Sequence, residues 1–218
     1  MRKLHFLGDI IKRGRLLRYI FCRHALGRAT GDSKHGAFQL YTVGNEVTLS
    51  PIPDALPFEN AVVLPLAIST AAAGLYQKGF LELPYPTVTA HPQPTGKTIL
   101  VWGGSSSVGG TAVQLAVASG LEVISTASKR NFDYVKALGA GHVLDYSEPT
   151  VVHDIVRLLN GKELIGAYDA ISSPETIDAT AEIVSRVGGG KIVTVLAPPA
   201  KGLPSNVTTI ASKKDYPA

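Results

Sequence analysis

From residue 97 onward, short apolar runs alternate with helical patterns, and this alternation constrains the fold more than any other feature of the chain. Residues 97–102 (KTILVW) are nearly all apolar, as expected of a strand buried on both faces. Residues 108–119 then carry apolar side chains at Val108, Ala112, Leu115, Ala116 and Ala118, which is the helical period. The cycle continues with a strand at 122–127, a helix at 131–138 closed by Gly139, and a short strand at 142–145. Val151, Val152, Ile155, Val156, Leu158 and Leu159 mark a helix up to Gly161; a strand at 167–171 and a helix over 174–187 follow. The Gly188-Gly189-Gly190 turn then leads into a strand at 191–195. Five strands alternating with helices predict an α/β fold with a doubly wound parallel sheet.

The residues before 97 read differently. Residues 37–43 (AFQLYTV) alternate at period two, and Gly44-Asn45 is a turn pair before 46–49, predicting a hairpin or meander. Prolines 51, 53 and 57 mark a loop. Residues 61–77, small and apolar nearly all round, predict a buried helix, and Pro84, Pro86, Pro92 and Pro94 a linker. Residues 1–30 hold eight bases against one acid, Asp9, with apolar residues interspersed. Two readings of this stretch stay open: a solvated extension outside the fold, or a basic amphipathic helix for mitochondrial targeting or membrane-surface anchoring. The stretch lacks the apolar centre of a secretory signal, so a cytoplasmic location is expected, with a mitochondrial one as the alternative.

Charge excludes one class of partner. The chain carries a net +4, yet residues 31–218 hold thirteen bases and sixteen acids. A nucleic-acid binder would place its positive charge on the folded body, so no nucleic-acid partner is expected. No uninterrupted apolar run approaches the ~18 residues of a membrane span, and no membrane partner is expected.

The chemistry sits in the turn after the first strand, Gly103-Gly104-Ser105-Ser106-Ser107-Val108-Gly109-Gly110. It follows a buried strand and opens a helix, the context a dinucleotide fingerprint requires in a Rossmann sheet. Read as Gly104-x-Ser106-x-x-Gly109, it departs from G-x-G-x-x-G at the centre. Gly104 would allow a tight turn and Gly109 close packing of helix on strand. A pyrophosphate would lie over the helix N-terminus, held by backbone N–H groups and the helix dipole, with the hydroxyls of Ser105, Ser106 and Ser107 as added donors. The bland alternative is an ordinary strand-to-helix turn with a serine N-cap.

The end of the second strand decides which nucleotide is expected. NAD sites place an acid about 20 residues past the glycines, where it accepts from the ribose 2′-hydroxyl. No acid occurs between Glu122 and Asp133; Ser128, Lys129 and Arg130 stand there instead. A cationic cluster suits a 2′-phosphate that a carboxylate would repel, so NADP(H) is the expected cofactor. A solvated helix start is the alternative.

Together the segments HGAFQLYTV (35–43), IPDALPFENAVVLPLAISTAAAGLY (52–76), GGSSSVGG, STASKRNFDYVKALGAGHVLDY (125–146) and GGGKIVTVL (188–196) resemble the medium-chain dehydrogenase/reductases. The resemblance is to their zinc-free branch of quinone oxidoreductases and enoyl reductases, above all the fungal trans-acting enoyl reductases that work beside polyketide synthases. It runs from about His24 to the C-terminus. It implies that 31–95 form part of a GroES-like substrate domain and 96–218 a dinucleotide-binding domain. It further implies that Ser105–Val108 grip the diphosphate, Ser128, Lys129, Arg130 and Asn131 the 2′-phosphate, and Tyr146 the adenosine end, with Thr70 near the nicotinamide. For Tyr146 a routine strand-end tyrosine, and for Thr70 a buried helical threonine, are the alternatives.

One cysteine, Cys22, and six histidines without metal-type pairing predict no catalytic zinc. No Ser-His-Asp or paired-carboxylate arrangement is visible, and no catalytic side chain is singled out. Two functions remain: an NADPH-dependent enoyl or quinone reductase acting on a small molecule or acyl thioester, with a polyketide synthase as the partner implied by the resemblance; or a nucleotide-binding remnant or incomplete gene product without turnover. The oligomeric state reads as monomer or homodimer. After the fifth strand the chain looks loop-like, with Pro199, Pro204 and Pro217, so the sixth strand of such a sheet is expected to be missing. An unpaired sheet edge would follow, with weak nucleotide binding and a tendency to associate.

Overall fold

The computed structural model describes residues 19–21, 49–53, 55–86, 92–197 and 202–212. The described residues up to Ser69 fall in one compact unit and those from Thr70 onward in another.

In the first unit, β1 (Tyr19–Phe21) pairs antiparallel with β2 (Leu49–Pro51), Ile20 opposite Ser50. Three residues of the basic stretch, expected as extension or helix, thus form a strand. The predicted strand at 37–43 and its Gly44-Asn45 turn lie outside the described residues. Next come α1 (Phe58–Ala61) and α2 (Leu64–Tyr76), which runs on into the second unit. The expectation of one buried helix over 61–77 is corrected here. The helix breaks at Val62-Val63, and Val62, Val63, Leu64, Leu66 and Ile68 are exposed, whereas Ala71, Ala73 and Leu75 are buried. Composition alone could not separate the two halves, because both are equally apolar.

The second unit is built on a six-stranded sheet. Its elements are β3 (Lys97–Trp102), α3 (Ser107–Ala118), β4 (Glu122–Ala127), a 3-10 turn at Lys129–Asn131, α4 (Phe132–Ala137), β5 (His142–Asp145), α5 (Val151–Leu159), β6 (Glu163–Asp169), α6 (Pro174–Arg186), β7 (Gly190–Thr194) and β8 (Val207–Ala211). The strand order is β5-β4-β3-β6-β7-β8, and every pair is parallel. The chain winds outward from β3 in one direction, then returns beside it and winds the other way, so the topological switch lies between β3 and β6. The α/β doubly wound Rossmann sheet read from the sequence is the fold of this unit.

The sixth strand is present, contrary to expectation. β8 pairs with β7 over its whole length, from Gly190↔Val207 to Thr194↔Ala211. As an edge strand it needs no continuous apolar run, and Val207-Thr208-Thr209-Ile210-Ala211 after Pro204 reads as loop for that reason.

The core lies in two layers. On one face of the sheet, Ile99, Val101, Val123 and Tyr168 pack with Leu75 of α2, Val113 of α3 and Val135 of α4. On the other, Leu100, Trp102, Ile124, Ala167 and Ile192 pack with Ile155 of α5 and Ala181 and Val184 of α6. α2 lies so close to the sheet that a Cβ on Gly74 would come 2.5 Å from Val193 Cγ1 and 2.6 Å from Tyr168. Within β6 the register to β3 shifts between Thr98 and Ile99, at Ile165-Gly166. Leu164 and Ala167 consequently face the same layer although they are three residues apart. This bulge interrupts the period-two signal, which is why β6 reads from the sequence as beginning at 167 and not at Glu163. α6 opens where expected: Ser173 caps it, accepting from Thr176 N, while Thr176 Oγ1 accepts from Ser173 N and Pro174 takes the first helical position. No helix among the described residues is long and apolar enough to cross a membrane.

Candidate functional site at the carboxyl ends of the central strands

The carboxyl ends of β3, β4, β5 and β6 bring most of the singled-out residues to one rim of the sheet. Gly103 leaves β3 with φ +81°, and its N–H donates to Thr126 Oγ1 at 3.0 Å, while Gly104 N donates to Thr126 O at 2.9 Å. The left-handed turn therefore falls on Gly103 and not on Gly104. A Cβ on Gly104 would instead run into Ser125 Oγ, which is itself tied to Val101 O at 2.8 Å. A Cβ on Gly109 would run into the Gly103 carbonyl oxygen, so α3 starts in direct contact with the strand end. The three glycines form a cradle that admits no side chain.

Ser106 is the N-cap of α3: its Oγ accepts from Gly109 N at 3.0 Å. The bland alternative for this residue is thus realised, and the cap is compatible with a ligand above it. Ser107 and Val108 open α3, and their own backbone N–H groups have no acceptor among the described residues, whereas those of Gly109 and Gly110 are taken by Ser106. Ser105 and Ser106 are half-buried and Ser107 is exposed. These donors and the dipole of a 12-residue helix point at the space over the cradle.

Along the rim, Ser128 precedes the turn Lys129–Asn131 without capping it through its side chain, and Asn131 Nδ2 donates to Ser128 Oγ at 3.1 Å. Ala127 pairs with Asp145, so the residues after β4 and those after β5 lie side by side. Tyr146 stands here, 51% exposed. Lys129 is not free: its Nζ lies 2.5 Å from Glu148 Oε1 and 3.9 Å from Asp145 Oδ2. The hydrogen bond and charge of Glu148 push the Lys129 ammonium above its ordinary value. Arg130 is exposed and makes no ion pair with a described residue.

Sequence reasoning missed the turn after β6. Asp169 is fully buried; its Oδ1 accepts from the N–H groups of Ile171 and Ser172, both at 2.9 Å, and its Oδ2 accepts from Thr176 Oγ1 at 2.7 Å. Burial raises the Asp169 carboxyl, and the three donors oppose that rise. Ser172, at φ +60°, hydrogen-bonds Asp169 O and receives Val195 N. This network sets Ile171 against Gly103, where an added Cβ would meet Ile171 Cγ1 at 2.7 Å. A lone acid, Asp169, just ahead of the Ser172-Ser173-Pro174 turn was the available signal. Thr70 is placed on the opposite layer, over β6: its carbonyl accepts from Tyr168 Oη at 3.0 Å, and its side chain is half-buried. Burial pushes the Tyr168 phenol up, so it stays a neutral donor.

Among the described residues no group of three or more His, Cys, Asp or Glu side chains is arranged to hold a metal ion. The arrangement can bind an anion over α3 and offer a mixed cationic and acidic rim beyond β4.

A doubly wound sheet with this cradle at its switch point defines a class of nucleotide-dependent α/β folds, and comparisons with known proteins narrow the class. Residues 107–215 match the zinc-binding dehydrogenase family. The chain is 47% identical over 187 residues to the trans-enoyl reductase himH of Aspergillus japonicus, covering 86% of this chain and 53% of that protein. It is 45% identical over 191 residues to the dehydrogenase azaJ of Aspergillus niger, covering 85% and 54%. A crystal structure of an NAD-dependent alcohol dehydrogenase superposes with a TM-score of 0.65 at 26% identity, covering 81% of this chain and 50% of that one. The chain belongs to the zinc-binding dehydrogenase family of the medium-chain dehydrogenase/reductase superfamily. It spans about half the length of the curated relatives it matches.

Proposed function

We propose that the chain is part of an NADPH-dependent reductase of enoyl or quinone type, transferring hydride to an activated double bond or carbonyl without zinc. The observation that carries this reading is the anion-ready head of α3: N–H groups at Ser107 and Val108 with no partner among the described residues, over a cradle where Gly103, Gly104 and Gly109 exclude side chains. That space fits a diphosphate. Arg130, exposed and without an ion pair among described residues, supports a 2′-phosphate at the end of β4, beside Ser128 and Asn131. Tyr146 on the neighbouring strand end is the candidate for the adenosine side, and Thr70 for the nicotinamide side. A bound nicotinamide supplies hydride transfer to the β-carbon of the acceptor, completed by a proton at the adjacent carbon.

The name of himH supports an enoyl substrate; a small molecule or acyl thioester as the acceptor, and a polyketide synthase as the partner, are proposed on the sequence resemblance alone. Residues 31–95 are the candidate portion of a GroES-like substrate domain, and 96–218 of the dinucleotide-binding domain. The single cysteine and the dispersed histidines support the zinc-free reading. We further propose a cytoplasmic location.

Fluorescence titration with NADPH and NADH tests the cofactor assignment. NADPH should bind more tightly, and Lys129→Ala with Arg130→Ala should weaken NADPH several-fold to about a hundredfold, since charge-assisted phosphate contacts contribute roughly 1–3 kcal/mol. NADH affinity should change little. Equal affinity for the two nucleotides in the unmutated chain rejects the assignment. NADPH oxidation with enones, quinones and crotonyl thioesters then separates a reductase from a binding protein without turnover.

A further inference from the structure

The reading of β4 as an NADPH strand rests on the missing acid between Glu122 and Asp133, yet the structure brings an acid to the same place from elsewhere. Glu148 lies in the loop after β5, and its Oε1 is 2.5 Å from Lys129 Nζ. The loop presenting it is pinned. Asp145 Oδ1 accepts from Ser147 N at 2.9 Å and from Ser147 Oγ at 2.7 Å, and Asp145 O accepts from Glu148 N at 3.2 Å. Glu148 O in turn accepts from Val151 N at 3.0 Å, at the head of α5. Among the described residues Glu148 has no other cation, and Lys129 is shared only between Glu148 and Asp145. Of the two adjacent bases, Lys129 is already paired, and Arg130 has no acidic partner among the described residues.

We propose that Glu148 is a specificity-determining residue: its carboxylate competes with a nucleotide 2′-phosphate for the Lys129 ammonium and so limits discrimination between phosphorylated and unphosphorylated nucleotides. The proposal rests on the site assignment made above, in that it places the ribose end of the nucleotide at Ser128–Asn131. The physics is direct. A dianion hydrogen-bonded to Lys129 Nζ sits beside a carboxylate held on the same nitrogen, so it must either displace Glu148 or bear its repulsion. A 2′-hydroxyl carries no charge and meets no such cost.

The test compares 2′,5′-ADP with 5′-AMP by calorimetric titration of the 218-residue chain and its Glu148→Gln variant. Both side chains of the pair are well exposed, so the variant is expected to fold, which a melting curve checks. Glu148→Gln should tighten 2′,5′-ADP by about three- to tenfold and leave 5′-AMP within about twofold. In a Lys129→Gln background the gain should vanish, because the competition runs through that ammonium. If the unmutated chain prefers 2′,5′-ADP but Glu148→Gln leaves it unchanged or weaker, the role of Glu148 is overturned and the NADPH reading stands. If the preference appears only in Glu148→Gln, the role of Glu148 stands and NADPH preference of the natural chain falls. If neither protein distinguishes the two ligands, both fall.

Discussion

At the scale of single residues, Gly109 shows how narrowly the candidate site is built. Its missing side chain leaves room for the Gly103 carbonyl, and the Gly109 N–H is the one that Ser106 caps. A methyl group there meets backbone, which has little freedom to move. Gly109→Ala should therefore destabilise the chain by about 1–3 kcal/mol, measured by urea unfolding, and should weaken NADPH by pushing α3 off the strand end. Unchanged unfolding together with unchanged binding would show that the cradle is looser than its contacts indicate. Part of this was legible beforehand: the spacing singled out Gly109 and Ser106, and each has a geometric reason to be what it is. The placement of the tight turn on Gly103 was not, because two adjacent glycines are interchangeable in sequence until φ is known. The Lys129–Glu148 pair was equally hidden, since a parallel β4–β5 pairing brings together residues nineteen positions apart that no local pattern connects.

Among the elements, the strands show best what a sequence can carry. β3 and β4 were read with the bounds they have, because strands buried between helices on both faces leave apolar runs with sharp ends; β5, a half-buried edge strand, was also read with its bounds, without that advantage. The edge strand β8 and the bulged β6 escaped or were shortened, since neither presents such a run. The opposite, amino-terminal rim of the sheet is tied by a carboxylate at the start of β4. Glu122 pairs with Lys162 ahead of β6, accepts from Thr98 Oγ1 of β3 at 3.2 Å, and lies 3.5 Å from His142 Nε2 of β5. Its hydrogen bond with Lys162 holds the Glu122 carboxyl below its ordinary value of 4.5, against a smaller opposing effect of burial. A depressed carboxyl contributes stability above its unfolded pKa and loses it as pH falls through the folded one. Glu122→Gln should thus lower Tm at pH 7, and the gap between the two proteins should begin to narrow near pH 4.5 and close only as the pH falls through the lower pKa of the folded carboxyl. Melting curves from pH 3 to 8 give the comparison, and a gap independent of pH would mean that the ion pair is not its source.

For the whole molecule, the exposed apolar residues at the start of α2 matter more than the sheet edge expected from the sequence. Val62, Val63, Leu64, Leu66 and Ile68 are all exposed within seven residues, and exposed apolar surface favours association. Leu66→Glu with Ile68→Glu should raise the concentration at which the chain associates, read as mass against concentration by light scattering. An unchanged mass profile would place the sticky surface elsewhere. The bulge in β6 has a different kind of consequence. A strand keeps parity, one side chain up and the next down, and Ile165-Gly166 is the single point where β6 changes parity between its two ends. Ile165 is the extra residue there, because Thr98 pairs with Leu164 and Ile99 already with Gly166. Take it out, and Leu164 and Gly166 become neighbours in an unbroken strand whose later residues keep their faces: Tyr168 stays on the carbonyl of Thr70 and Asp169 on Thr176. A residue added between Gly166 and Asp169 has no such outlet; it must widen the bulge or turn Asp169 away from its donors and, with it, the turn that sets Ile171 against Gly103. In β6, then, the chain holds one residue in reserve: shortening can be absorbed where lengthening cannot.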